Sequence, residues 1–84
     1  MELEINTPQK TIYHDTVKMV RVPGTKGSFQ ILNNHSPIIS TLEQGKITIK
    51  NKEDITFQFE ISDGIIECLN NKIVILTTQI TVIS

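Results

Sequence analysis

Two histidines and one cysteine are the residues in this 84-residue chain best suited to act as a base, nucleophile or metal ligand. His35 stands beside Ser36, an order in which an imidazole could activate a hydroxyl group. Such a site also needs an orienting carboxylate, and the loop around His35 contains no acidic residue. The sequence also lacks a G-x-S-x-G nucleophile elbow. A histidine that shapes a contact loop is the favoured interpretation, and a small enzyme that uses His35 is kept as an alternative.

The other reactive residues also lack the partners that their chemistry requires. His14 and Asp15 could form half of a metal site, but no second ligand pair stands at metal-binding spacing. Cys68 alternates with Ile66 in an apolar run, which predicts a small buried side chain rather than a reactive thiolate. The segment 23–27, P-G-T-K-G, lacks the spacing of a phosphate-binding loop. The sequence therefore predicts no catalytic site, no metal and no cofactor.

Charge and hydropathy exclude several classes of partner. Eight Lys and Arg residues against nine Asp and Glu give a net charge of -1, and the basic residues are scattered along the chain. Nucleic-acid binding draws on a clustered positive field, so nucleic acid is not expected as a partner. No apolar run approaches the roughly 20 residues of a membrane helix, and no secretory leader is evident. We expect an intracellular protein without direct lipid insertion, and a lone cysteine agrees with that.

The composition predicts an all-β fold. Ile, Val and Thr supply 30 of the 84 residues, alanine is absent and leucine occurs five times. Branching at Cβ suits a pleated sheet better than a helix. Turn signals recur roughly every 8–12 residues, which is typical of a small antiparallel β-sandwich or flattened barrel. Residues 1–84 are expected to form one domain.

The pattern predicts about 8–10 short strands. His14-Asp15 is read as a polar turn between two of them, and Gly64 as a turn residue with a positive φ. The predicted strands are 2–6, 11–13, 16–22, 29–32, 38–42, 46–50, 55–61, 65–69, 72–76 and 80–83.

Several strands depart from simple alternation because they contain consecutive apolar residues. Neighbours on a strand point to opposite faces, so one of each pair enters the core and the other points outward. The outward members are expected to form at least one apolar interface, unless bulges or closed corners bury both. The segments are Met19-Val20, Ile31-Leu32, Ile38-Ile39, Ile65-Ile66 and the run from Ile73 to Leu76.

Residues 22–45 read V-P-G-T-K-G-S-F-Q-I-L-N-N-H-S-P-I-I-S-T-L-E-Q-G. The spacing of Pro-Gly, Gly, His-x-Pro and Leu-x-x-Gly resembles the signature of the epsilon subunit of F-type ATP synthases, called delta in mitochondria. L-E-I-N-T-P at 3–8 is similar to the first strand of that family, and F-E-I-S-D-G-I-I-E-C-L-N-N-K-I-V-I-L at 59–76 is similar to a later run. The resemblance covers nearly the whole chain.

The resemblance implies a non-catalytic subunit of the central rotor stalk. In that family the N-terminal β-sandwich contacts the gamma subunit and the ring of proton-carrying membrane subunits, and so couples proton flow to ATP synthesis. It implies a peripheral position at the cytoplasmic face of the bacterial inner membrane. The residues expected to face the ring are Ser28, Asn33, Asn34, His35 and Ser36. The signature turns are at Pro23, Gly24, Gly27, Pro37, Gly45 and Gly64.

The chain departs from the family pattern at three points. Family members often carry an acidic residue at the position of Ser28 and glycine at that of Gln30. Many continue into a C-terminal helical hairpin that inhibits ATP hydrolysis, whereas this sequence stops at Ser84. Inhibition by a hairpin is therefore not expected. The alternative to a rotor subunit is a free-standing β-sandwich adaptor or ligand-binding domain.

Overall fold

The computed structural model describes residues 1–83 and confirms the all-β prediction. Strands make up the regular structure of this range, and it contains no helix that could span a membrane. The nine strands are β1 (Glu2–Asn6), β2 (Thr11–Val22), β3 (Phe29–Leu32), β4 (Ile38–Leu42), β5 (Gly45–Asn51), β6 (Thr56–Ile61), β7 (Gly64–Leu69), β8 (Lys72–Leu76) and β9 (Ile80–Val82).

The strands form two layers that share β2. Sheet 1 has the order β4-β7-β8-β1 and ends on the first half of β2, and sheet 2 contains β3, the second half of β2, β5, β6 and β9. The register of β2 shifts between Val17 and Met19, where the strand leaves one sheet for the other. β1 and β8 are parallel, which differs from the predicted antiparallel sandwich, and the other strand pairs are antiparallel.

The predicted turn at His14-Asp15 is wrong. Both residues lie inside the 12-residue strand β2, where His14 is opposite Glu4 and Asp15 is opposite Leu3 on β1. The two polar side chains are exposed. The polar pair therefore marks a solvent-exposed part of β2 at the edge of sheet 1, where backbone pairing with β1 keeps the chain extended.

The core lies between the two sheets and confirms the in-out prediction for consecutive apolar residues. Ile66 is fully buried, whereas Ile65 before it is 49% exposed. Ile31 is buried and Leu32 is exposed. The buried apolar side chains are Leu3, Ile5, Val17, Val20, Val22, Ile31, Leu42, Ile47, Ile49, Phe59, Ile61, Ile66, Cys68, Ile73 and Ile75.

Gly64 is required for a different reason from the one predicted. Gly27, with a φ of 123°, is the glycine with a positive φ in the described chain, and Gly64 is not in that region. A Cβ on Gly64 would instead lie 2.8 Å from the carbonyl oxygen of Leu76. Positive φ values occur instead in the separate turn at the other end of β7, where Asn70 (51°) and Asn71 (61°) join β7 to β8 as in a type I′ turn.

Replacing Ile66 with alanine should destabilise the domain by about 2–5 kcal/mol, because it removes buried methyl groups and leaves a cavity. The adjacent substitution Ile65→Ala should cost less than about 1 kcal/mol, since that side chain is already half exposed. Urea unfolding followed by circular dichroism measures both. Equal destabilisation by the two variants would contradict the in-out arrangement.

Candidate functional site

The outer surface of sheet 1 is apolar where β4, β7 and β8 lie side by side. Its side chains all point away from the core, and four of them are about half exposed or more: Ile39 at 71%, Leu76 at 53%, Ile65 at 49% and Leu69 at 49%. We define the apolar face as Ile39, Ile65, Leu69, Val74 and Leu76, together with Glu67 at its centre. Ile39, Ile65, Val74 and Leu76 are the outward members of three apolar segments singled out in the sequence, and Glu67 and Leu69 complete the surface.

Strand register sets the surroundings of Glu67. It lies opposite Ile39 on β4 and opposite Val74 on β8. Along β7, residues two positions away share the same face, which places Ile65 and Leu69 on either side. Four apolar side chains therefore border one exposed carboxylate.

The apolar face has an acidic margin on β1. Glu4 is opposite Val74, and Glu2 is opposite Lys72. His14 Nε2 donates a hydrogen bond to Glu2 and so lowers the pKa of that carboxyl group. The sequence-based metal candidate His14 thus serves an ion pair, and no group of three possible metal-ligating side chains was found in residues 1–83.

The outer surface of sheet 2 differs in character. Arg21 is opposite Thr48, which is in turn opposite Gln58, and Lys46 is opposite Glu60. These rows are polar and contain both signs of charge. Leu32 and Met19, which lie opposite each other, are the apolar side chains of this surface at the β3 edge. The larger group of adjacent exposed apolar side chains is on sheet 1, which indicates that sheet 1 is the side that a partner covers.

A shallow groove of about 350 Å³ runs along one end of the apolar face. Leu42, Ile65 and Leu76 contribute to its walls, and Asp63 lies at its rim. The Asp63 carboxylate accepts hydrogen bonds from the Thr78 hydroxyl (2.8 Å) and the Thr78 backbone N–H (3.3 Å). These bonds fasten the β6–β7 turn to the loop after β8, and they lower the pKa of Asp63.

The Asn33-Asn34 segment is fastened to the body of the domain. Asn33 Oδ1 accepts hydrogen bonds from the Met1 ammonium (3.1 Å) and from Asn71 Nδ2 (3.0 Å), and the Asn34 N–H donates to Asn71 Oδ1 (2.8 Å). Asn34 has a φ of 63°, a region that asparagine tolerates better than most residues. His35 Nδ1 donates to the Ser36 carbonyl oxygen at 2.7 Å. Several hydrogen-bonding groups of this loop are therefore already bonded within the domain.

The turn between β2 and β3 presents freer polar side chains. Its backbone is held by a bridge between Gly24 and Leu42 and by a hydrogen bond from the Thr25 N–H to the Thr41 carbonyl oxygen (3.2 Å), and the Thr25 and Thr41 hydroxyl groups are 2.9 Å apart. The side chain of Ser28 is exposed and has one long hydrogen bond, 3.5 Å from Arg21 Nη2. This turn is well placed to meet a partner through side chains that are not already engaged.

The residues predicted to face the ring fall into two groups. β3 separates Ser28 from Asn33, and an extended strand rises about 3.3 Å per residue, so roughly 16 Å lies between them. Ser28 is at the turn end, next to the β2–β3 turn. Asn33, Asn34, His35 and Ser36 are at the opposite end, beside the β7–β8 turn.

The reactive residues lie in inert surroundings. In the part of the chain that the structure describes, the hydrogen bond of His35 is to a backbone carbonyl and not to a carboxylate. Cys68 is 2% exposed, and burial raises the pKa of its thiol, which confirms the prediction of a small buried side chain. Sequence reasoning missed Glu67 and Asn71. The signal for Glu67 was present as a single charge between apolar residues of one strand.

A family model described as the ATP synthase delta/epsilon chain, β-sandwich domain, matches residues 1–82. The chain belongs to this family. Curated relatives are ATP synthase epsilon chains. That of Chlorobaculum tepidum is 33% identical over 79 residues, which are 94% of this chain and 90% of the relative. That of Protochlamydia amoebophila is 37% identical over 93% of this chain and 53% of the relative.

Solved structures share the fold of this family member at lower identity. A chain of the Euglena gracilis mitochondrial ATP synthase, in a structure of its OSCP/F1/c-ring, has a TM-score of 0.90 at 17% identity and is matched over 51% of its length by 95% of this chain. A chain of the Tetrahymena thermophila central stalk/c-ring structure has a TM-score of 0.80 at 19% identity, with 96% of this chain and 65% of that one covered. The predicted β-sandwich is therefore confirmed by comparison as well.

The carboxyl group of Asp63 should titrate below its ordinary value of 3.8. Because the pKa is lowered in the folded state, its hydrogen bonds stabilise the fold above pH 3.8, and this contribution is lost as the pH falls through the folded-state pKa. The variant Thr78→Val removes the hydroxyl donor and should raise the pKa of Asp63. Side-chain carboxyl NMR titration measures the change.

Asp54 provides the matched control for this titration. Its pKa is lowered by a hydrogen bond from Lys18 Nζ at 2.9 Å, on sheet 2. Thr78→Val should leave Asp54 unchanged, whereas Lys18→Met should raise its pKa and leave Asp63 unchanged. An unaltered Asp63 in Thr78→Val would show that the hydroxyl is not the cause.

Proposed function

We propose that this protein is a non-catalytic rotor subunit of an F-type ATP synthase, seated between the gamma subunit and the membrane ring. It lies peripherally at the cytoplasmic face of the bacterial inner membrane and helps to couple proton flow to ATP synthesis. The observation that carries the proposal is the exposed apolar face on a chain of the ATP synthase delta/epsilon family. The stalk and c-ring named for the structural neighbours support it.

The apolar face is the surface proposed for gamma. Exposed apolar side chains on three adjacent strands lose contact with water when a protein covers them, and this drives permanent association. The largest contributors by exposure are Ile39, Leu76, Ile65 and Leu69. The outer surface of sheet 2 is mostly polar and exposes Leu32 at one edge, so it offers a smaller gain, which favours sheet 1 as the surface that contacts gamma.

The end of the sandwich that carries the β2–β3 turn and Ser28 is the surface proposed for the ring. Ser28 and Asn33 lie at opposite ends of β3, with roughly 16 Å of extended strand between them, so we assign the ring contact to one end. Asn33 and Asn34 already bind Asn71 and the Met1 ammonium. Ser28 is less engaged. Within the set expected from the sequence, Ser28 is therefore the residue proposed to contact the ring, and His35 supports the loop at the far end.

The construction of the domain suits the transmission of torque. Close-packed side chains fill the space between the sheets, and such interiors deform little under load. β2 contributes backbone hydrogen bonds to both sheets, so neither layer can slide without breaking pairs in that strand. A stiff body with two separate contact surfaces is what a rotor adaptor requires.

The variant Ile65→Asp should weaken retention of this chain by ATP synthase at least tenfold, because it places an unpaired charge in the interface proposed for gamma. Its matched control is Thr48→Asp on the outer surface of sheet 2, which should be retained normally. Co-purification with solubilised ATP synthase, quantified by immunoblotting, measures both. A free-standing adaptor would not co-purify even as wild type, and that result would refute the proposal.

Single substitutions at the two ends of β3 test the ring contact. Ser28→Lys should lower proton-driven ATP synthesis in reconstituted membranes severalfold while leaving thermal stability unchanged, since the side chain is exposed. His35→Asp should have a smaller effect on synthesis. If His35→Asp lowers coupling and Ser28→Lys does not, the ring instead meets the end that contains Asn33.

A further inference from the structure

The apolar face contains a charge that the domain itself does not neutralise. In the described part of the chain the ion pairs are His14–Glu2 and Lys18–Asp54, and neither involves Glu67. Lys72 is the cation on the same face, but it is opposite Leu69 rather than Glu67. Lys72 is thus a diagonal neighbour of Glu67, a spacing of about 7–8 Å that long side chains can bridge, but no ion pair joins the two side chains in the described residues. Glu67 is therefore an exposed carboxylate without an ion-pair partner among residues 1–83.

Covering the apolar face would remove water from this carboxylate. Ile39, Val74, Ile65 and Leu69 border it, so a partner that buries those four side chains also buries Glu67. A buried carboxylate that is unpaired opposes association strongly, and one that meets a cation with hydrogen bonds does not. Burial of the apolar neighbours thus favours association, whereas burial of the carboxylate opposes it unless the partner supplies a positive charge.

We propose that Glu67 receives a lysine or arginine side chain of the gamma subunit, and that this ion pair fixes the register of gamma on the apolar face. The inference rests on the proposed function, which assigns this face to gamma. The partner surface is accordingly apolar with one cation at its centre. The apolar contacts supply the attraction. The ion pair selects one orientation, because any displacement would leave both buried charges without a partner.

Rebinding of purified full-length variants to ATP synthase depleted of this chain tests the proposal. Glu67→Leu is the decisive variant, since it makes the face more apolar and keeps a similar side-chain size. We expect it to bind at least tenfold more weakly than wild type, because the cation of gamma then lacks its partner. Glu67→Gln should also weaken binding. Glu60→Gln, which alters an acid on the opposite sheet, should bind as wild type does.

The outcomes separate the two proposals. If wild type rebinds and Ile65→Asp does not, but Glu67→Leu rebinds as tightly as wild type or more tightly, the ion pair is refuted while the apolar interface stands. If Lys72→Met weakens binding as much as Glu67→Leu, the cation is internal and the inference is also overturned. If wild type fails to rebind, the proposed function is refuted and the inference with it. Thermal melts of each variant confirm that the fold is retained.

Discussion

The two faces of each β-strand are the constraint on which the rest of this structure depends. A two-layer sandwich buries one face of a strand, so a strand that is apolar on both faces must leave half of its apolar side chains outside. β7 and β8 are such strands, with Ile66, Ile73 and Ile75 in the core and Ile65 and Leu76 outside. The same alternation that builds the core thus creates the surface offered to a partner.

Most of the fold could be predicted because the local signals agree with the tertiary arrangement. β3, β4 and β8 begin and end where apolar runs meet turn residues, and alternation defined the β5–β6 hairpin. The division of β2 into two strands failed because His14 and Asp15 are polar, and polarity alone does not distinguish a turn from an exposed edge. The parallel pairing of β1 with β8 is set by packing between distant segments, which local pattern does not encode.

The site could be predicted in part. The resemblance to the family singled out Ser28 and the segment 33–36. These residues are close in sequence, but the extended strand β3 places them at opposite ends of the sandwich. The fastening of Asn33 and Asn34 by Asn71 joins residues nearly forty positions apart, and the sequence contains no local sign of it. The surroundings of Glu67 depend on the register of β7 with β4 and β8, which the sequence does not specify locally. Only the outward alternation along β7 was visible beforehand.

The pairing of β1 with β8 has a consequence for how the protein is made. Glu2–Asn6 can associate with β2 soon after both have left the ribosome, but its other neighbour, Lys72–Leu76, is synthesised some seventy residues after Glu2–Asn6. Sheet 1 therefore stays open along one side of its first strand until β8 has been synthesised. Non-local pairing of this kind slows folding, and the nascent chain must keep an apolar edge shielded during that interval.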